Sequence, residues 1–370
     1  MDEEPRDDGS RPEPSERAAE QRPALTRRDV LRRAGVAGAF AVGGGLLGHE
    51  LLPHRQALAA AEGVAGEHGE YGAAEASGVP VSTSAGTNRS GYGHAAAAPT
   101  SLTQADLDEF TLAPPPRAGR GSTHSYDLSV TQRQLEVGDG VIVDAWTYDG
   151  QVPGPVLRVT EGDRLRIRMA NHTAHAHNVH LHGRHDPAMD GWEPVPPGGE
   201  FTYEVTAEPY GLFPYHCHTA PIAEHIGRGL YGAMIVDPPG GRPPAHEVVL
   251  ILGGWDLNGD GRNELVTFNG VAGAYHRYPI RVPVGRLVRV YVVNLLEHDP
   301  IASFHLHAQT FDVFRSGTSL VPDEHTDIVA LTQGERAIVE FTLPERGRYM
   351  FHPHQSSLAD RGAMGWFAAV

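Results

Sequence analysis

The chain has 370 residues, 40% of them apolar, and carries a formal net charge of −16. This length accommodates two or three domains with hydrophobic cores, and the acidic charge argues against nucleic acid or an anionic membrane surface as a partner. The chain contains 22 histidines but a single cysteine, Cys217, which excludes an intrachain disulfide.

The N-terminal third is predicted to lie outside the folded domains. Residues 1–60 combine a charged start with Thr26-Arg27-Arg28, a weakly apolar segment and the small-residue sequence Ala57-Leu58-Ala59. This order is similar to a twin-arginine export signal. A membrane anchor is the alternative, although the apolar segment is glycine-rich and short for a stable span. Residues 61–121 are rich in Ala, Gly and Ser and are predicted to form a flexible leader. We therefore expect an exported protein, extracellular or in the cell envelope.

From residue 122 onward the pattern predicts short β-strands. Residues 164–169 (RLRIRM) alternate strictly between polar and apolar side chains, as expected of a half-buried strand. Turn sequences rich in Gly, Asp and Pro separate such runs, and the sequence has no long helical period. The prediction is an all-β fold built from β-sandwich domains.

An internal repeat divides this region into two related domains, predicted at 122–240 and 245–370. Each copy has a Gly nine positions before an Asn, then His-Leu-His, a second His-x-His and Gly-Ala-Met. The first copy has Cys217 between its second pair of histidines, where the second copy has Pro353. The first copy also has a longer loop, which contains His225. Only the first domain can therefore hold a cysteine-ligated metal.

One set of candidate ligands surrounds the cysteine. His177 is out of phase with the His-Leu-His that follows it, so it faces the other side of its strand. It can therefore join Cys217 and His225, and a thiolate with two imidazoles is the ligand set of a blue-copper centre. Leu230 would take the axial position, where its side chain cannot ligate. A buried structural cysteine among core histidines is the competing interpretation.

Four His-x-His pairs remain, and the two-residue period of a strand places both members of each pair on one face. Neutral imidazole is a good copper ligand. Eight imidazoles are too many for one or two ions of ordinary geometry, but they are enough for three. These residues are His180, His182, His216, His218, His305, His307, His352 and His354.

The motifs resemble those of the multicopper oxidases, the laccase-like cupredoxin proteins. The resemblance covers about residues 122–370 and includes the segment Tyr148-Asp-Gly-Gln-Val-Pro-Gly-Pro155. It implies two Greek-key cupredoxin-like domains and about four copper ions per chain, namely one of type 1, one of type 2 and two of type 3. It also implies that a small reductant (a phenol, an aromatic amine or a metal ion) is oxidised in one-electron steps while O₂ is reduced to water.

The resemblance also assigns the ligands residue by residue. The type 1 copper would take His177, Cys217 and His225. The type 2 copper would take His180 and His305, and the type 3 pair would take His182, His216, His218, His307, His352 and His354. In two-domain members of the family this cluster forms between subunits of a homotrimer, so the resemblance implies a homotrimer here. The spacing alone also allows a cluster within one chain.

Two acidic features complete the prediction. Asp186 and Asp312 are candidates for the carboxylate that delivers protons to the cluster, on sequence proximity only. Residues 256–264 (DLNGDGRNE) begin like a calcium-binding loop, but Thr267 stands at the twelfth position, so a plain turn before a strand is preferred.

A copper nitrite reductase is the alternative function, and Phe268-Asn-Gly-Val-Ala-Gly273 resembles that family strongly. Its single type 2 copper would use His182, His216 and His354. We expect Asp at position 180 and no histidine at 218, 307 or 352 in such an enzyme, whereas this chain has histidine at all four. A copper-binding electron carrier is a second alternative, and it would need the cysteine site but not the eight other histidines.

Overall fold

The computed structural model describes residues 97–117 and 121–370. The predicted export signal within residues 1–60 and the first part of the predicted leader lie outside these ranges. Within the described ranges, no helix has both the length and the apolar character that crossing a membrane requires.

β-Strands dominate the described chain, which confirms the all-β prediction. The strands of the first half are β1 Thr123–Gly138, β2 Val141–Tyr148, β3 Leu157–Thr160, β4 Arg164–Asn171, β5 His180–Leu181, β6 Glu200–Thr206, β7 Gly211–His216 and β8 Tyr231–Asp237. The strands of the second half are β9 His246–Trp255, β10 Leu265–Phe268, β11 Ile280–Val282, β12 Leu287–Asn294, β13 Ile301–Leu306, β14 Phe311–Arg315, β15 Glu324–Thr326, β16 Ile328–Thr332, β17 Arg336–Thr342, β18 Gly347–His352 and β19 Gly365–Ala369. The helices are short: α1 Gln104–Thr111, α2 Ile222–Gly227, α3 Ala274–Arg277, α4 Ser356–Asp360 and a 3₁₀ turn at Pro187–Met189.

Each half forms a pair of sheets that enclose an apolar core. The first half has the strand orders β2-β1-β4-β6 and β3-β8-β7-β5, and the second has β10-β9-β12-β17-β14-β15 and β11-β19-β18-β13-β16. Ile167 of β4 and Tyr215 of β7 belong to the first core, and Val290 of β12 and Phe351 of β18 belong to the second. β4 alternates as predicted, since its apolar residues are buried and its arginines are exposed.

The two halves repeat the same register at their histidine strands. His180 on β5 pairs with His216 on β7, and His305 on β13 pairs with His352 on β18. Directly opposed residues on antiparallel strands have their side chains on the same face. Each His-Leu-His is therefore held beside the second His-x-His of its own half.

A buried charge network joins the two halves. Arg158 on β3 bonds Asp237 at the end of β8 and also Glu247 on β9, with its Nη1 2.7 Å from a Glu247 oxygen. Arg289 on β12 donates to the same carboxylate at 2.8 Å, and the Tyr291 hydroxyl donates to it at 2.7 Å. Both guanidinium groups are almost fully buried, so this carboxylate neutralises charge that water cannot reach.

The last part of the predicted flexible leader is ordered. Thr103 and Asp106 form a reciprocal capping box at the start of α1. Leu107 packs into the core of the second half, and the Thr111 hydroxyl lies 2.7 Å from that of Tyr275. Composition did not predict this helix, because one capped turn with a single apolar anchor is a weak signal among Ala, Gly and Pro residues.

Candidate metal centres

The cysteine lies directly after β7, at the base of a loop that is longer in the first half than in the second. Its backbone N–H donates to the carbonyl of Leu230 at 3.0 Å, which closes the loop that contains α2. α2 carries His225, and both Cys217 and His225 are buried. His177 lies on a separate segment. Its N–H donates to the Val195 carbonyl, and its carbonyl accepts the Val195 N–H.

A buried asparagine holds that segment in place. The side-chain amide of Asn171 donates to the carbonyl of His175 at 2.7 Å and to that of Val195 at 2.9 Å. The equivalent Asn294 donates to the Leu331 carbonyl at 3.0 Å. The asparagine that recurs in the internal repeat therefore ties the end of its strand to a segment further along the chain in each half.

The three predicted type 1 ligands converge. Cys217 Sγ lies 3.2 Å from His225 Nδ1 and 3.9 Å from His177 Nδ1, and the two nitrogens are 3.1 Å apart. Ligand atoms bonded to one ion at about 2.0–2.3 Å have separations of this size. The residues therefore fit a single metal ion, and one thiolate with two imidazoles matches copper. Leu230 is fully buried in the same apolar cluster as the cysteine.

The protonation of this set suits a metal. Burial, together with the neighbouring His225, lowers the pKa of His177 to about 3, and burial also lowers the pKa of His225. Both imidazoles are therefore neutral near pH 7 and have a lone pair to offer. Burial raises the pKa of the Cys217 thiol, although the Asn178 N–H lies 3.5 Å from its sulfur. A bound cation would favour the thiolate.

Trp146 forms a wall of this site that the sequence did not reveal. Its ring centroid lies 4.9 Å from that of His177 and 4.8 Å from that of His225. The guanidinium carbon of Arg228 lies over the indole, 4.7 Å from its centroid. The indole thus packs against both ring ligands and keeps water from them.

The first histidine tetrad, defined as His180, His182, His216 and His218, lies at the ends of β5 and β7. The ring of His180 is 5.1 to 5.2 Å from the other three rings. Nε2 of His182 and Nε2 of His216 are 3.2 Å apart. Burial lowers the pKa of His182 to about 3 and that of His216 to about 4, so these imidazoles are neutral ligands near pH 7.

The second tetrad, defined as His305, His307, His352 and His354, repeats the arrangement at the ends of β13 and β18. The ring of His305 lies 4.9, 5.5 and 5.2 Å from those of His307, His352 and His354. Nε2 of His307 and Nε2 of His352 are 2.9 Å apart. His307 and His354 are exposed to solvent, so this tetrad is more open than the first.

The two tetrads are separate groups. Among the residues that the structure describes, every close pair of tetrad rings lies within one tetrad or the other. In each tetrad, three imidazoles have ligand atoms within 4.8 Å of one another, which is close enough to share metal ions. Each tetrad on its own offers half of the predicted set of eight ligands.

The acidic residues that contact the tetrads are Asp190 and Asp327, not Asp186 or Asp312. Asp190 Oδ1 lies 3.1 Å from Nδ1 of His180, and the carbonyl of Asp327 lies 2.7 Å from Nδ1 of His305. These contacts occupy Nδ1 and leave Nε2 for a metal. Asp186 instead caps the 3₁₀ turn, with its carboxylate 2.9 Å from the Ala188 N–H.

The other predicted acid also has a different partner. Asp312 Oδ1 lies 2.7 Å from Nδ1 of His325, and both side chains are exposed.

Asp190 follows the first His-Leu-His in an Asp-Gly sequence, but nothing in its spacing shows that this turn folds back onto residue 180. The contact between Asp190 and His180 was therefore not predictable from proximity in sequence.

The predicted turn at 256–264 is an acidic loop. Carboxylate oxygens of Asp256, Asp260 and Glu264 lie within 4.8 Å of one another. However, the Asp256 carboxylate accepts the backbone N–H groups of Gly259 at 2.7 Å and Gly261 at 2.8 Å, as in an Asx-type turn. This loop is outside both histidine tetrads and the cysteine site.

Comparisons with known proteins identify relatives of two kinds. Two family models, both described as multicopper oxidase, match residues 129–241 and 254–370. A copper-containing nitrite reductase of Neisseria meningitidis serogroup A is 31% identical over 264 residues, which are 64% of this chain and 67% of that protein. Laccase-8 of Oryza sativa subsp. japonica is 27% identical over 63% of this chain and 49% of its own length. A solved structure described as a multicopper oxidase has a TM-score of 0.67 and 39% identity, covering 70% of this chain and 94% of that one.

Proposed function

The chain belongs to the multicopper oxidase family, and from this premise we propose that it is a laccase-like oxidase, which oxidises a small reductant and reduces O₂ to water. One observation carries the proposal: each half holds a complete tetrad of imidazoles. The four histidines that a nitrite site would not need, at positions 180, 218, 307 and 352, are all within these tetrads.

The residues divide into a thiolate site and a histidine cluster. His177, Cys217 and His225 would hold the type 1 copper, beside the buried Leu230, which has no ligand atom to offer. His180 and His305 would hold the type 2 copper, and the type 3 pair would be held by His182, His216, His218, His307, His352 and His354. When bound, copper would supply one-electron oxidation at the thiolate site and reduction of O₂ at the cluster.

The chain connects the two sites through adjacent residues. Cys217 is flanked by His216 and His218, so its thiolate is one residue away from two tetrad ligands. The His218 N–H donates to the side-chain carbonyl of Asn178 at 2.6 Å, which holds the connection rigid. Electrons taken up beside α2 thus have a short covalent path to the first tetrad.

The cluster is proposed to form between subunits of a homotrimer. The first tetrad of one subunit would face the second tetrad of the next, and together they would supply the eight imidazoles. In support, the two tetrads are separate groups in the described chain, and the second one exposes His307 and His354. Asp190, which contacts His180, is the carboxylate that we assign to proton delivery.

Nitrite reduction is the second candidate, and a specific observation favours it. The nitrite reductase of Neisseria meningitidis is more similar to this chain than Laccase-8, at 31% against 27% identity. His182, His216 and His354 would then hold a single type 2 copper.

The protein is also proposed to be exported by the twin-arginine route, on the basis of Arg27-Arg28 and the segment after it.

The test compares both acceptors with the copper-loaded protein and one reductant, a simple phenol or an aromatic amine. We expect reductant-dependent O₂ uptake that forms water without accumulating hydrogen peroxide, and no nitric oxide when nitrite replaces O₂. Cys217→Ser should abolish O₂ uptake together with the blue absorption, because the thiolate is the only soft ligand. Nitric oxide formation at a rate comparable to O₂ uptake would favour the second candidate.

A further inference from the structure

An exposed tryptophan stands beside the first tetrad. Trp192 is 70% exposed, and its ring lies 6.2 Å from that of His218 in an edge-to-face arrangement. Tryptophan is enriched at protein–protein interfaces relative to the rest of the surface, so an exposed indole beside partly buried ligands is a candidate contact residue.

The backbone holds this tryptophan in place. Gly191 has a φ of +78°, and a Cβ atom there would lie 2.6 Å from the carbonyl oxygen of Val179. The carbonyl of Gly191 accepts a hydrogen bond from the side-chain amide of Asn178. The same asparagine accepts the His218 N–H at 2.6 Å. The backbone at Trp192 is therefore fixed relative to the tetrad, so little backbone entropy would be lost on binding.

The second tetrad has an exposed apolar neighbour of its own. Ile328 is 36% exposed and pairs with His305 across β13 and β16. β16 is the edge strand of its sheet, and its outward face is exposed at alternate residues. Its first residue thus presents an apolar side chain beside the more open set of imidazoles.

We propose that Trp192 of one subunit packs against Ile328 of the next subunit and seals the edge of the assembled cluster. This inference rests on the proposed function, because it requires the cluster to form between two copies. The occupant is a second copy of the chain, since each tetrad lacks the ligands that the other carries. An indole over the junction would keep water from the imidazoles, and buried tryptophans dominate the energetics of many interfaces.

Cross-linking tests this contact directly, because Cys217 is the only cysteine and is fully buried. A chain with both Trp192→Cys and Ile328→Cys, treated with a short bismaleimide, should give covalent dimers and trimers on a denaturing gel. Each single variant should remain monomeric on that gel. If the double variant is trimeric by native mass but gives no covalent oligomers, the contact is wrong while the proposed function stands. If the unmodified protein is monomeric and still has the coupled near-ultraviolet band of a type 3 pair, both the contact and the intersubunit cluster are wrong.

A matched pair of truncations measures the importance of the contact. Trp192→Ala should raise the protein concentration at which the trimer dissociates about tenfold or more, while the blue absorption of the intrachain cysteine site persists. Ile142→Ala is the control, because Ile142 is 64% exposed and lies on β2, in the sheet that does not contain the tetrad strands β5 and β7. If Trp192→Ala and Ile142→Ala dissociate at the same protein concentration, the proposal is overturned. If the Trp192→Phe trimer is as stable as that of the unmodified protein, the packing role is supported.

Discussion

Asp190 is expected to control copper affinity at one histidine of the cluster. The perturbation is Asp190→Asn, which keeps the size of the side chain and removes its charge. Oδ1 of Asp190 lies 3.1 Å from Nδ1 of His180, and the backbone carbonyl of Asp190 lies 3.2 Å from the same nitrogen. The variant therefore retains the backbone acceptor and replaces the charged acceptor with a neutral amide oxygen.

The size of the effect follows from these contacts. A hydrogen bond to a charged group contributes about 1.5–3 kcal/mol, against about 0.5–1.5 kcal/mol for a neutral one. The loss is then about 1–1.5 kcal/mol, or roughly tenfold in affinity. This lies at the lower end of the 10–100-fold range that is usual for partners of metal-binding histidines, because the carbonyl still holds the imidazole.

Asp327 provides a matched control in the other tetrad. There the carbonyl lies 2.7 Å from His305 Nδ1, but the nearest carboxylate oxygen is 3.8 Å away and the side chain is 56% exposed. Asp327→Asn should therefore leave copper affinity within about twofold.

The assay is competition for copper with a chelator, followed by the electron paramagnetic resonance signal of the type 2 ion. Asp190→Asn should lose that ion at roughly tenfold lower chelator concentration than the unmodified protein. Equal losses in the two variants, or no loss in Asp190→Asn, would show that the carboxylate does not support the ligand.

Three further outcomes are expected. His307→Ala should remove the near-ultraviolet absorption of a coupled type 3 pair while the blue colour persists, and retention of both bands would contradict the tetrad assignment. Glu247→Gln should lower the free energy of unfolding by about 1.5–3 kcal/mol, because Arg158 and Arg289 each lose one charged partner while Asp237 and Glu340 still pair with them; denaturant titration measures this, and a change below about 0.5 kcal/mol would be inconsistent with the network. The metal-free protein should lose stability as the pH falls below about 6.5. The pKa of His182 is lowered from 6.5 to about 3 in the folded chain, so protons bind the unfolded state first. Denaturant titrations at several pH values check this, and a flat profile between pH 7 and pH 4 would contradict it.

The grouping of the candidate ligands could be predicted from the sequence because strands impose a period of two. That period placed His180 with its partner two residues later, and it placed His177 on the opposite face, beside the cysteine. The internal repeat extended this grouping to the histidines of the second tetrad. Strand β4 was recognisable for the same reason, since its burial alternates with its sequence.

Other parts of the site depend on contacts between distant segments and have no such period. Trp146 reaches the cysteine site from β2, and Asp190 reaches its histidine through a turn. Neither contact follows from local spacing. The helix α1 was hidden for a different reason, because a short capped turn gains its stability from packing Leu107 into a core formed by residues far along the chain.

The copper content of the purified, fully loaded protein tests the central claim most directly. An oxidase with one thiolate site and a complete histidine cluster should hold about four copper ions per chain. Elemental analysis against protein concentration gives this number, and the blue and near-ultraviolet bands should account for the type 1 ion and the type 3 pair. A value of about two copper ions per chain, with no near-ultraviolet band, would contradict the oxidase assignment and match a nitrite reductase.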